Sequence, residues 1–318
     1  MSASPQAPAD SASVRVSVIL LTRDAGPRFA EVLAALSACR GIEDAEILLI
    51  DSGSRDGTLE LAAGVPGVRI FEIPPEEFGH GRTRNFAASQ ARGEILAFLV
   101  QDATPADEGF LESLVAPLEE DPDLAAAYGR QVPRPEATPV EAAFLRHTYP
   151  PEPSERRLDA ASGRVEIGAV FFSNVCSALR REVWTRFPFD ETRIMSEDQV
   201  WAREVLEAGY RIAYRPEAAV LHSHHYPLAK VFRRNFDSGC SLVGVTQDSP
   251  RAMLAYELRF LRAAAGSLRR RGEARWIPYL LVHEAVRVLG FAAGRKARWL
   301  PRPLRRFLSL HREFWEPR

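Results

Sequence analysis

The chain has 318 residues, 46% hydrophobic and 26% charged, enough to bury one large core or two smaller ones. Its three cysteines, Cys39, Cys176 and Cys240, form no C-x-x-C pair, which speaks against a zinc site or disulfide framework and fits a reducing compartment. The net charge of −1 hides a split: from Tyr226 onward there are 19 Lys and Arg against 7 Asp and Glu, while the remainder is acidic at 22 against 35.

Residues 1–13 are rich in Pro, Ala and Ser and lack a basic n-region or an apolar h-region. They read as a disordered tail, not a signal peptide. "VRVSVILLT" (14–22) is a short apolar run, the pattern of a strand buried on both faces. The helical pattern "FAEVLAALSAC" follows, then a second buried strand ending in "IDSGSRDGT", a helix from Thr58, and the short strand "VRIFEI". "GRTRNFAASQAR" predicts a helix and "GEILAFLVQDATP" a fourth strand running into a loop. Alternating apolar strands and helices predict a doubly wound, mostly parallel sheet, in which ligands bind beyond the carboxyl ends of the strands. Thr22, Asp51 and Asp102 all stand at such ends.

The Pro-rich, highly charged stretch from about 130 to 165 predicts a mobile or partly helical excursion over the site. "VEIGAVFFSNVCSALRREVW" predicts a strand, a turn and a short helix, "SEDQVWAREVLEAGY" a helix, and "RIAYRPEAAVLHSHHY" a short pair of strands. From "PLAKVFRRNFDSG" onward the pattern is helical, broken at Pro250, Pro278, Pro301 and Pro303. The longest apolar stretch, 276–294, carries His283, Glu284 and Arg287 in its middle, which favours a core or surface helix over a membrane span.

Neither G-x-x-x-x-G-K-[ST] nor G-x-G-x-x-G is present, which speaks against the usual NTPase and dinucleotide folds. Asp51 can bond a base edge or a ribose hydroxyl, or it can close a local turn; Asp56 suits an Asx-turn. Asp102 suits a divalent cation that also holds a diphosphate. His222 and His224, two of three histidines in "VLHSHHY", share a face on a strand, so either imidazole can join Asp102 at a metal. Glu197 and Asp198 in "SEDQVW" are adjacent acids at a helix start, where the macrodipole favours them.

Taken in order, "VSVILLTRDAG", "IDSGSRDGT", "GHGRTRN", "VQDATP", "FFSNVCSALRREVW", "SEDQVWAREVLEAGY" and "HSHHY" resemble the second family of inverting glycosyltransferases, roughly over residues 14–240. "FGHGRTRN", "QDATP", "FFSNVCSA" and "HSHHYPL…FRRNFDSG" look like its bacterial rhamnosyltransferase-type members.

The resemblance implies a GT-A fold over 14–225, a Rossmann-like sheet flanked by helices, followed by a helical basic region over 226–318. It implies that Thr22, Arg23 and Asp51 surround the nucleotide base and ribose, with Arg84 and Asn85 near the diphosphate. Asp102 with His222 or His224 would hold Mg²⁺ or Mn²⁺, although "QDA" departs from the family's two-acid D-x-D pattern. Asp198 would be the catalytic base, with Glu197 raising its proton affinity. The implied activity is transfer of a sugar, L-rhamnose from dTDP-rhamnose, onto a glycan or lipid-linked glycan in cell-surface polysaccharide synthesis. A catalytically inactive nucleotide-sugar-binding or scaffold relative is the alternative, and a nucleic-acid partner is not expected. The location implied is cytoplasmic and peripheral to the inner face of the cell membrane. Arg and Lys clusters interleaved with Trp276, Trp299, Phe307 and Trp315 point to an anionic membrane surface as a further partner.

Overall fold

In the parallel half of the sheet, β1 (Val16–Thr22) lies between β2 (Ala45–Asp51) and β4 (Ile95–Val100), with β3 (Val68–Glu72) beyond β2. This computed structural model describes residues 14–158, 168–246 and 249–316. The expected N-terminal tail and residues 159–167 of the excursion lie outside the described residues. Thr22 and Asp51 pair directly, so the two strands end level. Alternate residues of β1 enter different layers. Val16, Val18 and Leu20 pack with Phe29, Val32 and Leu36 of α1 (Phe29–Ser37) and with Phe110, Leu111 and Leu114 of α4 (Phe110–Glu120). Ile19 packs in the opposite layer, with Ala87 and Ala88 of α3 (His80–Gln90) and Trp201 of α7 (Glu197–Glu207). This two-sided burial is why the strands are continuously apolar. The short helix α2 (Thr58–Ala63) follows the β2 loop.

The other half of the sheet is mixed. β8 (Cys176–Arg180) runs antiparallel to both β4 and β6 (Leu124–Val132), and β6 pairs in parallel with β9 (Arg211–Leu221). β5 (Thr104–Pro105) and β7 (Ser154–Arg156) run antiparallel to β9. The expected strand pair over 211–226 is therefore one long strand. Its register against β6 slips between Gly129 and Arg130, where β9 carries the extra residues Pro216, Glu217 and Ala218. A Cβ on Gly129 would stand 2.1 Å from the Ala218 carbonyl oxygen, so only glycine fits beside this bulge.

As far as residue 158 the excursion carries more regular structure than its composition predicts. β6 extends to Val132, and α5 (Pro139–Thr148) follows, with the Thr138 side chain accepting the Glu141 N–H at 3.2 Å. Thr138-Pro139-x-Glu141 carries a capping-box spacing with Pro at the first helical position. After β8, α6 (Arg181–Arg186) leads toward α7. The C-terminal helices are α8 (Leu228–Ser241), α9 (Pro250–Arg270), α10 (Ile277–Arg295) and α11 (Arg302–Leu308), beginning at or beside the expected prolines. Phe260, Ala264 and Leu268 of α9 share a core with Val140 and Ala143 of α5 and with Leu280 of α10.

Candidate active site

The loops after β1 and β2 form one stitched unit. Asp51 is fully buried, and its carboxylate accepts the Thr22 hydroxyl (2.8 Å), the N–H groups of Gly53 (2.9 Å) and Ser54 (2.8 Å), and the Ser54 hydroxyl. These four donors fill the lone-pair capacity of a carboxylate. Asp24 accepts the Arg55 N–H, while Asp56 accepts from Gly26 N–H and from the Thr58 hydroxyl and N–H, the Asx-turn expected for it. Gln101, the residue before Asp102, makes a two-way amide link to the Arg23 backbone: its Oε1 accepts the Arg23 N–H at 2.8 Å and its Nε2 donates to the Arg23 carbonyl at 3.1 Å. The departure at "QDA" therefore has a use, joining the β1 loop to the Asp102 loop.

Asp102, His222 and His224 come together, with donor atoms all within 4.8 Å of one another. His222 and His224 lie just past the end of β9 rather than on it. The Asp102 carboxylate is 3.5 Å from His222 Nε2 and 3.3 Å from His224 Nε2, and the two Nε2 atoms are 2.9 Å apart. Gln131, at the end of β6, settles the tautomer of His222. Its Nε2 donates to the Tyr149 hydroxyl and to Ser173 Oγ, so its Oε1 accepts Nδ1–H of His222 at 2.9 Å. The His222 Nε2 lone pair is left facing Asp102 and His224, the orientation a metal ligand needs. A carboxylate and two imidazoles converging in this way fit a divalent cation that accepts mixed O/N donors. Burial pushes the Asp102 carboxyl up and His222 and His224 outweigh it, holding it at about 2; burial and His222 pull His224 down to about 4. Arg134 is buried beneath the cluster and donates to the Asp102 carbonyl and Thr104 Oγ1, both at 2.9 Å, while its own N–H donates to Ser223 Oγ. It thus ties the Asp102 loop to the histidine loop.

The adjacent acids face the same cavity, about 470 Å³, whose wall includes Asp102, His222 and His224. Ser196 enters α7 in the left-handed region (φ 60°), an unfavourable backbone for a residue with a side chain. That turn places Glu197 and Asp198 in the first helical turn, at the positive end of the dipole. Glu197 is buried and paired at 2.8 Å with the equally buried Arg84 of α3. Burial pushes Glu197 up, but Arg84 outweighs it and the net shift is downward. Among the described residues Asp198 has no ion-pair partner, although the Arg84 charge reaches it more weakly. It accepts N–H groups from Asn174 (3.2 Å) and Gln199 (2.8 Å), yet burial and then the Glu197 charge push it up to about 7.

Arg84 thus lines the cavity, whereas Asn85 does not. The Asn85 amide donates to the Phe189 carbonyl and Glu191 and accepts from Trp184 Nε1 and the Phe189 N–H, holding the 184–191 turn. Thr22, Arg23 and Asp51 lie at the neighbouring strand ends rather than in this wall. Gln131, Arg134, Glu141, Asn174, Gln199, His80 and Arg234 are wall or support residues that the sequence reading did not single out. The first three fall in the stretch read as an excursion, where the capping box was the available signal.

The sequence matches the family Glycosyl transferase family 2 over residues 17–186. It is 33% identical to the O-antigen chain rhamnosyltransferase RfbN of Salmonella typhimurium, over 95% of this chain and 96% of that one. It is 32% identical to the O-antigen chain rhamnosyltransferase WbaN of Salmonella anatum, over 86% and 87% of the two chains. A mannosyltransferase, PcManGT of Pyrobaculum calidifontis, solved with GDP-Man and Mn²⁺, shares the fold at TM-score 0.60 and 19% identity, over 91% of this chain and 88% of that one. So does the glucosyl-3-phosphoglycerate synthase of Mycobacterium tuberculosis, at TM-score 0.52 and 20% identity, over 74% and 81%. The chain belongs to glycosyl transferase family 2 and is a glycosyltransferase of GT-A fold.

Proposed function

We propose that this enzyme transfers L-rhamnose from dTDP-rhamnose to a hydroxyl of a cell-surface glycan or its lipid-linked precursor, with inversion at the anomeric carbon. The donor and pathway are suggested by the two O-antigen rhamnosyltransferases it resembles. The observation that carries the mechanism is the contrast between two neighbouring carboxylates: Glu197 is ion-paired with Arg84, whereas Asp198, with no ion-pair partner among the described residues, is raised to about 7 by burial and the Glu197 charge. A group with that proton affinity is matched to general-base work near neutral pH.

In this mechanism the acceptor hydroxyl gives its proton to the Asp198 carboxylate as its oxygen bonds to the anomeric carbon. The anomeric carbon–oxygen bond to the diphosphate breaks on the opposite face, and its electron pair leaves with dTDP. Five polar atoms of the cavity wall have no partner among the described residues: His80 Nε2, Arg84 Nε, Glu141 Oε2, Asn174 Nδ2 and Gln199 Oε1. Buried polar groups are normally paired, so these are suited to receive the hydroxyls of bound sugars. Asp102, His222 and His224 would hold Mg²⁺ or Mn²⁺, which when bound supplies positive charge against the diphosphate. Thr22 and Arg23, at the strand ends beside the cavity, would meet the nucleoside, Asp51 shapes their loop, and Asn85 holds the 184–191 turn. Within this reading the enzyme is cytoplasmic, and an anionic membrane surface presents the lipid-linked acceptor.

The test is release of nucleoside diphosphate across a panel of dTDP-, UDP- and GDP-sugars with a short glycan acceptor. Preferential release from dTDP-rhamnose, with an inverted anomeric product by NMR, is the expected result. Preference for another donor would replace the rhamnose assignment. Donor binding without turnover on any acceptor would favour the inactive relative.

A further inference from the structure

Helix α10 is built inside out. Its charged residues point inward: Glu284 is 3% exposed, and Arg287 bridges it at 2.6 Å and reaches Glu257 of α9. His283 Nδ1 lies 3.0 Å from Glu284, and His283 and Arg287 both line the active-site cavity. The outward face carries Pro278, Leu281, Val282, Ala285, Val288, Leu289 and Ala292, all exposed and spaced three or four residues apart as one helical stripe. Leu281 is 53% and Leu289 61% exposed. A helix on the surface of a water-soluble domain has the opposite arrangement, with its apolar stripe toward the core. The middle charges that argue from sequence against a membrane span are therefore the ones turned inward, and an unbroken apolar strip of about four turns faces outward.

By length and composition Ala274–Arg295 is able to cross a bilayer. Its packing says otherwise. A Cβ on Gly290 or Gly294 would stand 2.5 or 2.0 Å from the carbonyl oxygens of Phe232 and Phe236 on α8, and one on Gly239 would stand 2.2 Å from the Phe291 carbonyl. The two backbones touch, and the Glu257–Arg287–Glu284 cluster holds the third side. The helix stays on the protein and offers one face only.

Both ends of that face are basic, with exposed Arg275 before it and exposed Lys296 and Arg298 after it. Trp299, 74% exposed, follows directly, with the Arg298 guanidinium 4.8 Å from its ring centre. Of the expected interfacial aromatics, Trp299 and Phe307 are exposed, whereas Trp276 packs into the α5–α9–α10 core and Trp315 lies under Arg305. A second copy seated here would bring cations against cations whichever way the helices ran, because both ends carry the same sign.

We propose that the outward stripe of α10 lies in the headgroup plane of an anionic bilayer. The cations at its ends meet lipid phosphates, and its inward face walls the cavity that receives the lipid-linked acceptor. This rests on the membrane partner in the reading above and names the surface that meets it.

The test is flotation of the full chain with phosphatidylcholine vesicles containing about one-third phosphatidylglycerol, at low salt and at physiological salt. Wild type should float, and less so as salt rises, since screening acts over about 8 Å at physiological ionic strength. The double variant Leu281→Asp/Leu289→Asp should lose at least about tenfold in vesicle partitioning. Its melting temperature and its turnover of a water-soluble acceptor should be unchanged. No flotation of wild type, equal flotation of the double variant, or a wild-type dimer that the substitutions make monomeric would each overturn the proposal. Stripe-dependent flotation without turnover on any donor would instead sink the rhamnosyl-transfer reading and leave the docking face standing.

Discussion

The two loop clusters above the sheet differ in how they treat their polar groups. On the β1–β2 side, Asp51, Asp24, Asp56 and Gln101 have their hydrogen bonds met by neighbouring backbone and hydroxyls. On the α7 side, Arg84, Asn174 and Gln199 each keep a buried polar atom without a partner among the described residues. An unmet buried polar group costs about 1–3 kcal/mol, so a fold that keeps several in one cavity has reason to do so. The first cluster is a frame that satisfies itself; in the proposed function the second is completed by its ligand.

Metal removal should give the largest effect, because it strikes where the two clusters meet. Asp102→Ala, or chelation of the wild type, should lower turnover by about 100-fold or more, and Asp102→Ala should abolish Mn²⁺ binding measured by titration calorimetry. Full turnover in chelator would hand the diphosphate to cations of the chain alone, with Lys230 and Arg234, neither ion-paired with a carboxylate among the described residues, next in line.

Arg84→Met should come next. It leaves Glu197 buried without its cation, a loss of about 3–5 kcal/mol in urea unfolding at neutral pH. Asp51→Ala strips the acceptor from two half-buried N–H groups and from the Thr22 hydroxyl, and should cost about 1–2 kcal/mol. Asp51→Asn should recover much of that, since its one oxygen still serves Gly53 and Ser54 while the Thr22 and Ser54 hydroxyls rotate to accept. If Asn were as damaging as Ala and turnover collapsed with the fold intact, Asp51 would be touching nucleotide, and the frame would be part of the ligand surface.

The smallest effect runs the other way. The folded state raises the Asp198 proton affinity, so its contribution to stability is present in acid and lost as pH climbs from about 4 through about 7. Asp198→Asn removes that loss and should raise the melting temperature at pH 8 by about 3 °C or more, with the gain shrinking toward pH 4. No gain at pH 8 would mean the carboxylate is not strained in its site.

The frame was legible in the sequence because it is local. Apolar runs ending in Thr22, Asp51 and Asp102 show strand ends, and strand ends of a parallel sheet converge. Glu197 and Asp198 were legible as a pair, yet nothing in "SEDQVW" shows that Arg84 pairs with one and leaves the other without an ion-pair partner among the described residues. That distinction depends on α3 and α7 packing together across more than a hundred residues. Gln131 and Arg134 were hidden for a different reason: prolines around them mask a strand end and a helix start. That 276–294 is a helix held on the protein was legible, but its inverted face was not, because a sequence shows which residues are charged and not which way they turn.

In the proposed mechanism Asp198 takes the proton. The direct measurement is turnover of Asp198→Asn beside wild type from pH 5 to 9, with donor affinity measured on the same preparations. Wild-type kcat/KM should rise through about pH 7 and level off, following deprotonation of Asp198. The Asn variant should bind donor normally and turn over about 100-fold or more slowly, with that rise gone. Wild-type turnover in the variant, or the same pH rise in both proteins, would contradict the assignment.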